Sequence, residues 1–191
     1  MRVLITGGAG FIGSHVCDRL LAEGHDVSVV DNLVTGKREN LSAGAAFFEV
    51  DLRDEALDDV FAQVRPEAVF HLAAHIDVRR SVSDPAYDAS INILGSLNLL
   101  ERCRAHGTRR LVYSGTGGAL FGEPSYLPVD EAHPIDPISP YGVSKHTVEH
   151  YLFAYGYTHG LEYVVLRYPN VYGPRQDPHG EAGVVAIFAQ R

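Results

Sequence analysis

A tyrosine and a lysine stand one helical turn apart in the segment SPYGVSK. Tyr141 and Lys145 follow a proline that is typical of a helix start, so the spacing predicts that both side chains share one helix face. A lysine cation beside a phenol favours the phenolate, which would make Tyr141 a usable base near neutral pH. The alternative is a surface pair on an ordinary helix, because this spacing also occurs by chance.

A glycine-rich segment, TGGAGFIG at 6–13, lies between an apolar run and a helical pattern. It contains Gly8, Gly10 and Gly13 in the spacing G-x-G-x-x-G. Glycines there permit a tight turn and a close approach of the backbone to a pyrophosphate, which the N-terminus of the next helix would bind. The context predicts dinucleotide binding; the alternative is a glycine turn without a ligand.

An acidic residue, Asp31, ends the second apolar run, 18 residues after Gly13. A carboxylate at this place accepts hydrogen bonds from both hydroxyls of the adenosine ribose and repels a 2′-phosphate. Lys37 and Arg38 follow closely and would instead support NADP. Asp31 favours NAD.

Strand-like and helix-like segments alternate along the chain. The strand-like segments are short, apolar and β-branched throughout, as expected of strands covered on both faces. The pattern predicts an α/β fold with a doubly wound parallel sheet, Rossmann-like in its order. The predicted strands are 1–6, 25–31, 45–51, 67–74, 109–115 and 161–169, the helices 11–24, 55–64, 84–107 and 139–160, and the long loop 116–138.

Composition excludes several classes of function. The chain has 191 residues, 46% of them hydrophobic, and a net charge of −8, which predicts one globular core and disfavours binding to nucleic acids or acidic membranes. Cys17 and Cys103 lie in helical patterns and are predicted to be buried thiols. The histidines lack the spacing of a metal site, and no signal peptide or membrane span is recognisable. We therefore expect a cytoplasmic protein without a metal.

Eight segments in order make the chain resemble the extended short-chain dehydrogenase/reductase family. Within that family it is similar to the NAD-dependent sugar-nucleotide epimerases, such as the UDP-glucose 4-epimerases. The segments are TGGAGFIGSH, DNLVTGKREN, VDLRD, FHLAA, SINILGSLNLLE, VYSGTGGALFGEP, SPYGVSK and LRYPNVYGPRQ.

The resemblance implies NAD as the cofactor and assigns its binding residues. Two of them have structural alternatives: Asp51 as a helix N-cap, and Asn92 as a packed polar residue inside a helix. The residues are Gly7, Gly10, Phe11, Ile12 and Gly13 for the pyrophosphate, Asp31, Asn32, Leu33 and Gly36 for the ribose, Asp51 and Leu52 for the adenine, and Leu72, Ala73, Ala74, His75, Asn92, Ser114, Tyr141, Lys145, Tyr168, Pro169 and Val171 for the inner half.

The resemblance also implies a catalytic Thr116, Tyr141 and Lys145, with Ser114 replacing Thr116 if the strand register slips by two. Thr116, Tyr141 and Asn170 would bind a UDP-sugar. The implied activity is the interconversion of UDP-glucose and UDP-galactose, in galactose metabolism, through a transient 4-keto sugar.

Other activities stay open at this point. They are another C4-oxidising sugar-nucleotide enzyme (a different epimerase, a dehydratase or a decarboxylase) and a non-catalytic dinucleotide-binding module. The family's dehydratases and decarboxylases carry acidic residues after the threonine of the fifth strand, whereas Thr116 is followed by Gly117, Gly118 and Ala119, and the next carboxylate is Glu123. Non-catalytic relatives typically lose the tyrosine or the lysine, and both are present here.

The resemblance finally predicts the organisation of the molecule. Residues 1–176 would form the NAD-binding Rossmann domain with the catalytic residues, and residues 177–191 would begin a substrate-binding domain that is truncated or missing. The helices 84–107 and 139–160 would form a homodimer; alternatively, their apolar faces are covered by the sheet alone. The apolar residues concerned are Ile91, Leu94, Leu97, Leu100, Val148, Leu152 and Tyr155.

Overall fold

The computed structural model describes residues 1–178 and 184–189. Within these residues, six strands form one parallel sheet in the order β3-β2-β1-β4-β5-β6. This order is that of the doubly wound dinucleotide-binding fold, so the predicted fold class is confirmed. The strands are β1 (Arg2–Thr6), β2 (Asp26–Asp31), β3 (Ala46–Glu49), β4 (Ala68–His71), β5 (Arg110–Thr116) and β6 (Glu162–Tyr168).

Helices connect the strands and cover both faces of the sheet. The helix α6 begins where the Ser139 hydroxyl accepts the Gly142 N–H at 3.1 Å, and it ends at Gly160, whose φ is +71°. The helices are α1 (Phe11–Ala22), α2 (Leu57–Val64), α3 (Val78–Ser83), α4 (Pro85–Ala89), α5 (Ser96–Ala105), α6 (Pro140–His159) and α7 (Val184–Ala189), with a 3₁₀ turn at Arg38–Asn40 and a π-helical segment at Ser90–Gly95.

Three sequence predictions about elements were wrong in part. The helix expected at 84–107 is interrupted: α4 and α5 are joined by the π-helical segment. At the end of this segment the Ser96 hydroxyl donates to the Asn92 carbonyl, and the Ser96 N–H donates to the Ile93 carbonyl. The strand expected at 67–74 ends at His71, because the Ala73 N–H donates to the Thr6 hydroxyl instead of to a backbone carbonyl of the neighbouring strand. The helix α3 was not predicted, and β5 extends to Thr116, so the long loop is 117–139.

The core has one apolar cluster on each sheet face. Val3, Ile5 and Cys17 belong to the cluster beneath α1, whereas Leu4 belongs to the cluster beneath α2, α5 and α6. Cys103 is buried in that second cluster, and both cysteines are free thiols, as predicted. Of the residues expected at a dimer contact, three lie in the chain's own core, namely Leu100, Val148 and Leu152.

The strand β6 forms one edge of the sheet, and Val164 and Leu166 on it are 43% and 39% exposed. Beyond β6, residues 179–183 and 190–191 lie outside the described part, so the expected domain division near residue 177 stays a prediction. No helix in the described part of the chain is long and apolar enough to cross a membrane.

Candidate functional site

The carboxyl edge of the parallel sheet collects the residues that the sequence singled out. Parallel strands end at the same edge, so the loops after β1 to β6 converge there. Every predicted site residue lies in one of these loops, in the first turn of α1, at the end of a strand, in the π-helical segment or on the N-terminal half of α6.

The loop after β1 packs backbone against backbone, which only glycine allows. A Cβ on Gly13 would lie 2.2 Å from the Gly7 carbonyl oxygen, and a Cβ on Gly7, whose φ is +73°, would lie 2.6 Å from the Ala73 nitrogen. Gly10 caps α1 without a side-chain hydrogen bond, and the first turn of α1 carries no acidic residue. The N–H groups of Phe11 and Ile12 therefore form an end of positive potential that suits a pyrophosphate.

Asp31 is buried at the end of β2. Its carboxylate accepts the Ala9 N–H at 3.0 Å and the Leu33 N–H at 2.8 Å, while burial raises the pKa of this carboxyl. Each oxygen retains a lone pair, so the carboxylate can still accept two hydroxyls of a ribose. Arg38, the alternative partner for a 2′-phosphate, is ion-paired with Glu49.

The carboxylate of Asp51 accepts four hydrogen bonds: one from the Asn32 side chain at 2.8 Å, one from the Arg53 backbone at 2.9 Å and two from the Arg53 guanidinium, both at 2.8 Å. The Arg53 side chain is the main cause that lowers the pKa of Asp51. The helix α2 begins later, with Ala56 as its N-cap, so the alternative of Asp51 as a helix cap was wrong.

A buried polar chain runs below the loop that follows β4. His71 Nδ1 lies 2.8 Å from the Thr6 hydroxyl oxygen, and Nε2 lies 2.9 Å from the Ser96 hydroxyl oxygen. Because the Ser96 hydroxyl donates to Asn92, Nε2 carries the proton and Nδ1 accepts from Thr6. Thr6 in turn accepts the Ala73 N–H at 3.2 Å. Burial, together with the nearby lysine charge of α6, lowers the pKa of His71 to about 3.

Asn92 holds the backbone of the same loop. Its Oδ1 accepts the His75 N–H at 2.8 Å, and its Nδ2 donates to the His75 carbonyl at 2.9 Å and to Asp88 at 3.0 Å. The residue is 3% exposed. This geometry favours the alternative of a packed polar residue that positions residue 75.

Tyr141 and Lys145 occupy the first turns of α6, with Lys145 Nζ 4.4 Å from the centre of the Tyr113 ring. Burial lowers the pKa of Lys145 to about 7, against the opposing effects of Glu149 and Asp88. Burial first and Asp88 second raise the pKa of Tyr141 to about 12. Both effects oppose the phenolate, so the expectation that a neighbouring Lys145 makes Tyr141 a usable base near neutral pH stays a prediction.

Thr116 ends β5 directly opposite Tyr168 of β6. Its hydroxyl oxygen accepts the Ala119 N–H at 3.2 Å, and the Gly117 N–H donates to the Tyr168 carbonyl at 2.7 Å. Ser114 lies two residues earlier and points to the same face of the sheet, because side chains alternate along a strand. Both hydroxyls that the sequence offered for the catalytic role thus belong to one face.

The structure adds residues to the site that sequence reasoning missed. The hydroxyl of Ser144, which directly precedes Lys145, donates to Asp88 at 2.6 Å, and Glu149 pairs with Arg167 at 2.7 Å. The sequence held one weak indication for Asp88: it precedes Asn92, a predicted cofactor residue, by one helical turn. Among the described residues, no three His, Cys, Asp or Glu side chains are arranged to hold a metal ion.

The sequence profile of the NAD dependent epimerase/dehydratase family matches residues 3–191. A UDP-glucose 4-epimerase of Mycolicibacterium smegmatis is 46% identical over 195 residues, covering 100% of this chain and 62% of that protein. Two solved structures each cover 100% of this chain and 62% of their own: the UDP-glucose 4-epimerase of Thermotoga maritima with UDP-glucose (53% identity, TM-score 0.97) and that of Thermus thermophilus with NAD (58%, 0.96). The chain thus spans about three fifths of the length of these relatives.

Proposed function

Since the chain belongs to the NAD dependent epimerase/dehydratase family, we propose that it takes part in the interconversion of UDP-glucose and UDP-galactose through a transient 4-keto sugar, as in galactose metabolism. The observation that carries the proposal is the position of Tyr141 and the buried Lys145 at the same sheet edge as the glycine loop. The similarity to UDP-glucose 4-epimerases over the full chain supports this substrate.

The proposed cofactor is NAD, and residues of the sheet edge fit it. The uncapped start of α1 would bind the pyrophosphate and Asp31 the ribose diol. When bound, NAD⁺ supplies the hydride acceptor for C4 of the sugar, the donor for its return, and a further positive charge. The other residues proposed for the cofactor are Gly7, Gly10, Gly13, Asn32, Leu33, Gly36, Asp51, Leu52, Leu72, Ala73, Ala74, His75, Ser114, Tyr168, Pro169 and Val171, with Asn92 acting through His75.

Tyr141 would remove the proton from O4 of the sugar and return it after the 4-keto sugar has turned over. Because the pKa of Tyr141 is raised to about 12 in this structure, base catalysis near neutral pH needs more positive charge than Lys145 provides. Thr116 would hydrogen-bond the reacting oxygen, and Asn170 would contact the UDP-sugar. The glycines after Thr116 leave no acid for a dehydration at this place.

Assembly and location form part of the same proposal. Several large apolar side chains on the surfaces of the π-helical segment and α6 are exposed, among them Leu94, Phe153 and Tyr157, which supports a homodimer through α4, α5 and α6. The two buried free thiols suit a reducing compartment such as the cytoplasm. The substrate-binding domain expected to start near residue 177 would complete the sugar site.

The test separates cofactor binding from turnover. Binding of NAD⁺ to the chain is measured by calorimetry, and conversion of UDP-galactose to UDP-glucose is followed with the wild type and with Tyr141→Phe. We expect binding in both proteins and conversion in the wild type only. Conversion that survives in Tyr141→Phe would overturn the assigned base. If NAD⁺ binds without conversion, the same assay on a chain extended to the length of its relatives decides whether the substrate assignment stands.

A further inference from the structure

The carboxylate of Asp88 is fully buried and joins three separate segments of the chain. Its Oδ2 accepts the Ser144 hydroxyl of α6 at 2.6 Å. Its Oδ1 accepts Asn92 Nδ2 at 3.0 Å and lies 3.1 Å from Nδ1 of His75 in the loop after β4. A buried carboxylate needs such donors, because an unpaired charge in the core is strongly destabilising.

The donors of Asp88 belong to both walls of the proposed site. Ser144 directly precedes Lys145 and stands three residues after Tyr141, whereas His75 follows the residues proposed to border the cofactor. Asn92, the third donor, forms hydrogen bonds with both the backbone N–H and the backbone carbonyl of His75. One carboxylate therefore fixes the first turns of α6 and the loop after β4 in a single arrangement.

Asp88 also supplies a buried negative charge that acts on the buried lysine. The groups around Lys145 are Glu149 on its own helix, Asp88 on α4, the Tyr113 ring on β5 and His71 on β4. Of these, Glu149 and Asp88 raise the pKa of Lys145 against the effect of burial. Glu149 is already paired with Arg167 at 2.7 Å. The partners of Asp88 among the described residues are Ser144, Asn92 and His75, with no lysine or arginine in hydrogen-bond contact.

We propose that Asp88 is a positioning residue of the active site: it holds α6 against the loop after β4 and is a buried counter-charge that favours the ammonium form of Lys145. This inference deepens the proposed function and rests on it. The contacts with Ser144 and His75 keep the Asp88 carboxylate at a fixed place, from which its charge favours the protonated form of Lys145.

The isosteric variant Asp88→Asn removes the charge and keeps the shape. Its amide can donate to the Ser144 oxygen, while the remaining oxygen accepts from Asn92 and His75. Ser144→Ala is the matched control, because it removes one hydrogen bond and keeps the carboxylate.

Lysine labelled with carbon-13 at Cε gives a direct readout, since the chain has only two lysines, Lys145 and the exposed Lys37. We expect Asp88→Asn to lower the titration midpoint of Lys145 by about half a pH unit or more, with Lys37 unmoved. Ser144→Ala should leave both midpoints in place. An unchanged Lys145 midpoint in Asp88→Asn, or an equal shift in Ser144→Ala, overturns the counter-charge.

Hydrogen exchange in Ser144→Ala tests the positioning role even if Asp88→Asn does not fold. We expect faster amide exchange both at 142–145 and at 74–76, because Asp88 couples the two segments. Faster exchange confined to α6 overturns the coupling. Neither readout needs turnover, so both stand if the epimerase assay fails. If the assay succeeds, Asp88→Asn should lower kcat about tenfold and shift the pH profile, while its NAD⁺ affinity stays within about twofold of the wild type.

Discussion

The ammonium nitrogen of Lys145 lies 4.4 Å from the centre of the Tyr113 ring, and the lysine is 4% exposed. The ring face offers a weak attraction for the cation, which only partly replaces the water that the buried ammonium has lost. Burial of the ammonium is therefore unfavourable for stability, and it lowers the pKa of Lys145 to about 7. A pKa in this range suits acid–base chemistry.

Replacing Lys145 with Met should stabilise the protein and inactivate it. Methionine fills a similar volume without a buried amine, so we expect a gain of about 1 kcal/mol in the free energy of unfolding near pH 7 and a loss of at least about 100-fold in epimerase rate. Between the folded pKa of about 7 and the unfolded value of 10.5, the unfolded chain binds one more proton at this lysine than the folded chain does. The free energy of unfolding of the wild type should therefore rise relative to that of Lys145→Met as pH increases above 7. Urea unfolding measures this, with Lys37→Met as control; a less stable Lys145→Met would contradict it.

Adding one methyl group to the glycine loop should weaken cofactor binding. In Gly13→Ala the new Cβ would lie 2.2 Å from the Gly7 carbonyl oxygen, so the loop must move away from the start of α1. We expect at least a tenfold weaker NAD⁺ affinity in calorimetry and a loss of about 1–3 kcal/mol in stability. Gly44→Ala is the control, because its Cβ would meet only the Leu21 side chain at 3.4 Å. An unchanged NAD⁺ affinity in Gly13→Ala would place the pyrophosphate elsewhere.

Asp31→Asn should change the choice between the two dinucleotides. The amide keeps the shape but no longer repels a 2′-phosphate, so the ratio of the NADP⁺ and NAD⁺ dissociation constants should move towards NADP⁺ by about tenfold. Binding of both cofactors is compared with Asp26→Asn, an exposed position at the other end of β2. A ratio equal to that of the control would show that Asp31 does not face the adenosine ribose.

His71 should make the fold sensitive to acid. Its pKa is lowered to about 3 in the folded chain from 6.5, so the unfolded state binds the additional proton between these values, and stability falls as pH drops through this window. In His71→Gln we expect lower stability at pH 7, by about 1–3 kcal/mol for the broken hydrogen bonds, and a flatter dependence on pH. Denaturant unfolding at several pH values measures both, with the exposed His159→Gln as control. Parallel pH curves for wild type and His71→Gln would contradict this assignment.

Much of the fold could be predicted from the sequence because its signals are local. The apolar strands, the glycines at 7–13 and the acid at 31 each act within a few residues of their own position, and helical periodicity alone placed Tyr141 and Lys145 on one face of α6. The π-helical segment was not predicted because it depends on a side-chain contact, in which the Ser96 hydroxyl donates to the Asn92 carbonyl in place of a backbone N–H.

The sequence by itself determined the succession of the six strands, the fold class and the residue types at the sheet edge. Only the tertiary structure decided their electrostatics. Asp88 meets Ser144 across 56 residues of chain, and His71 meets Thr6 across 65. A pKa depends on which groups packing removes from water, and no spacing in the sequence encodes that removal. For this reason the sequence located Tyr141, while its raised pKa and the buried charge beside it came from the fold.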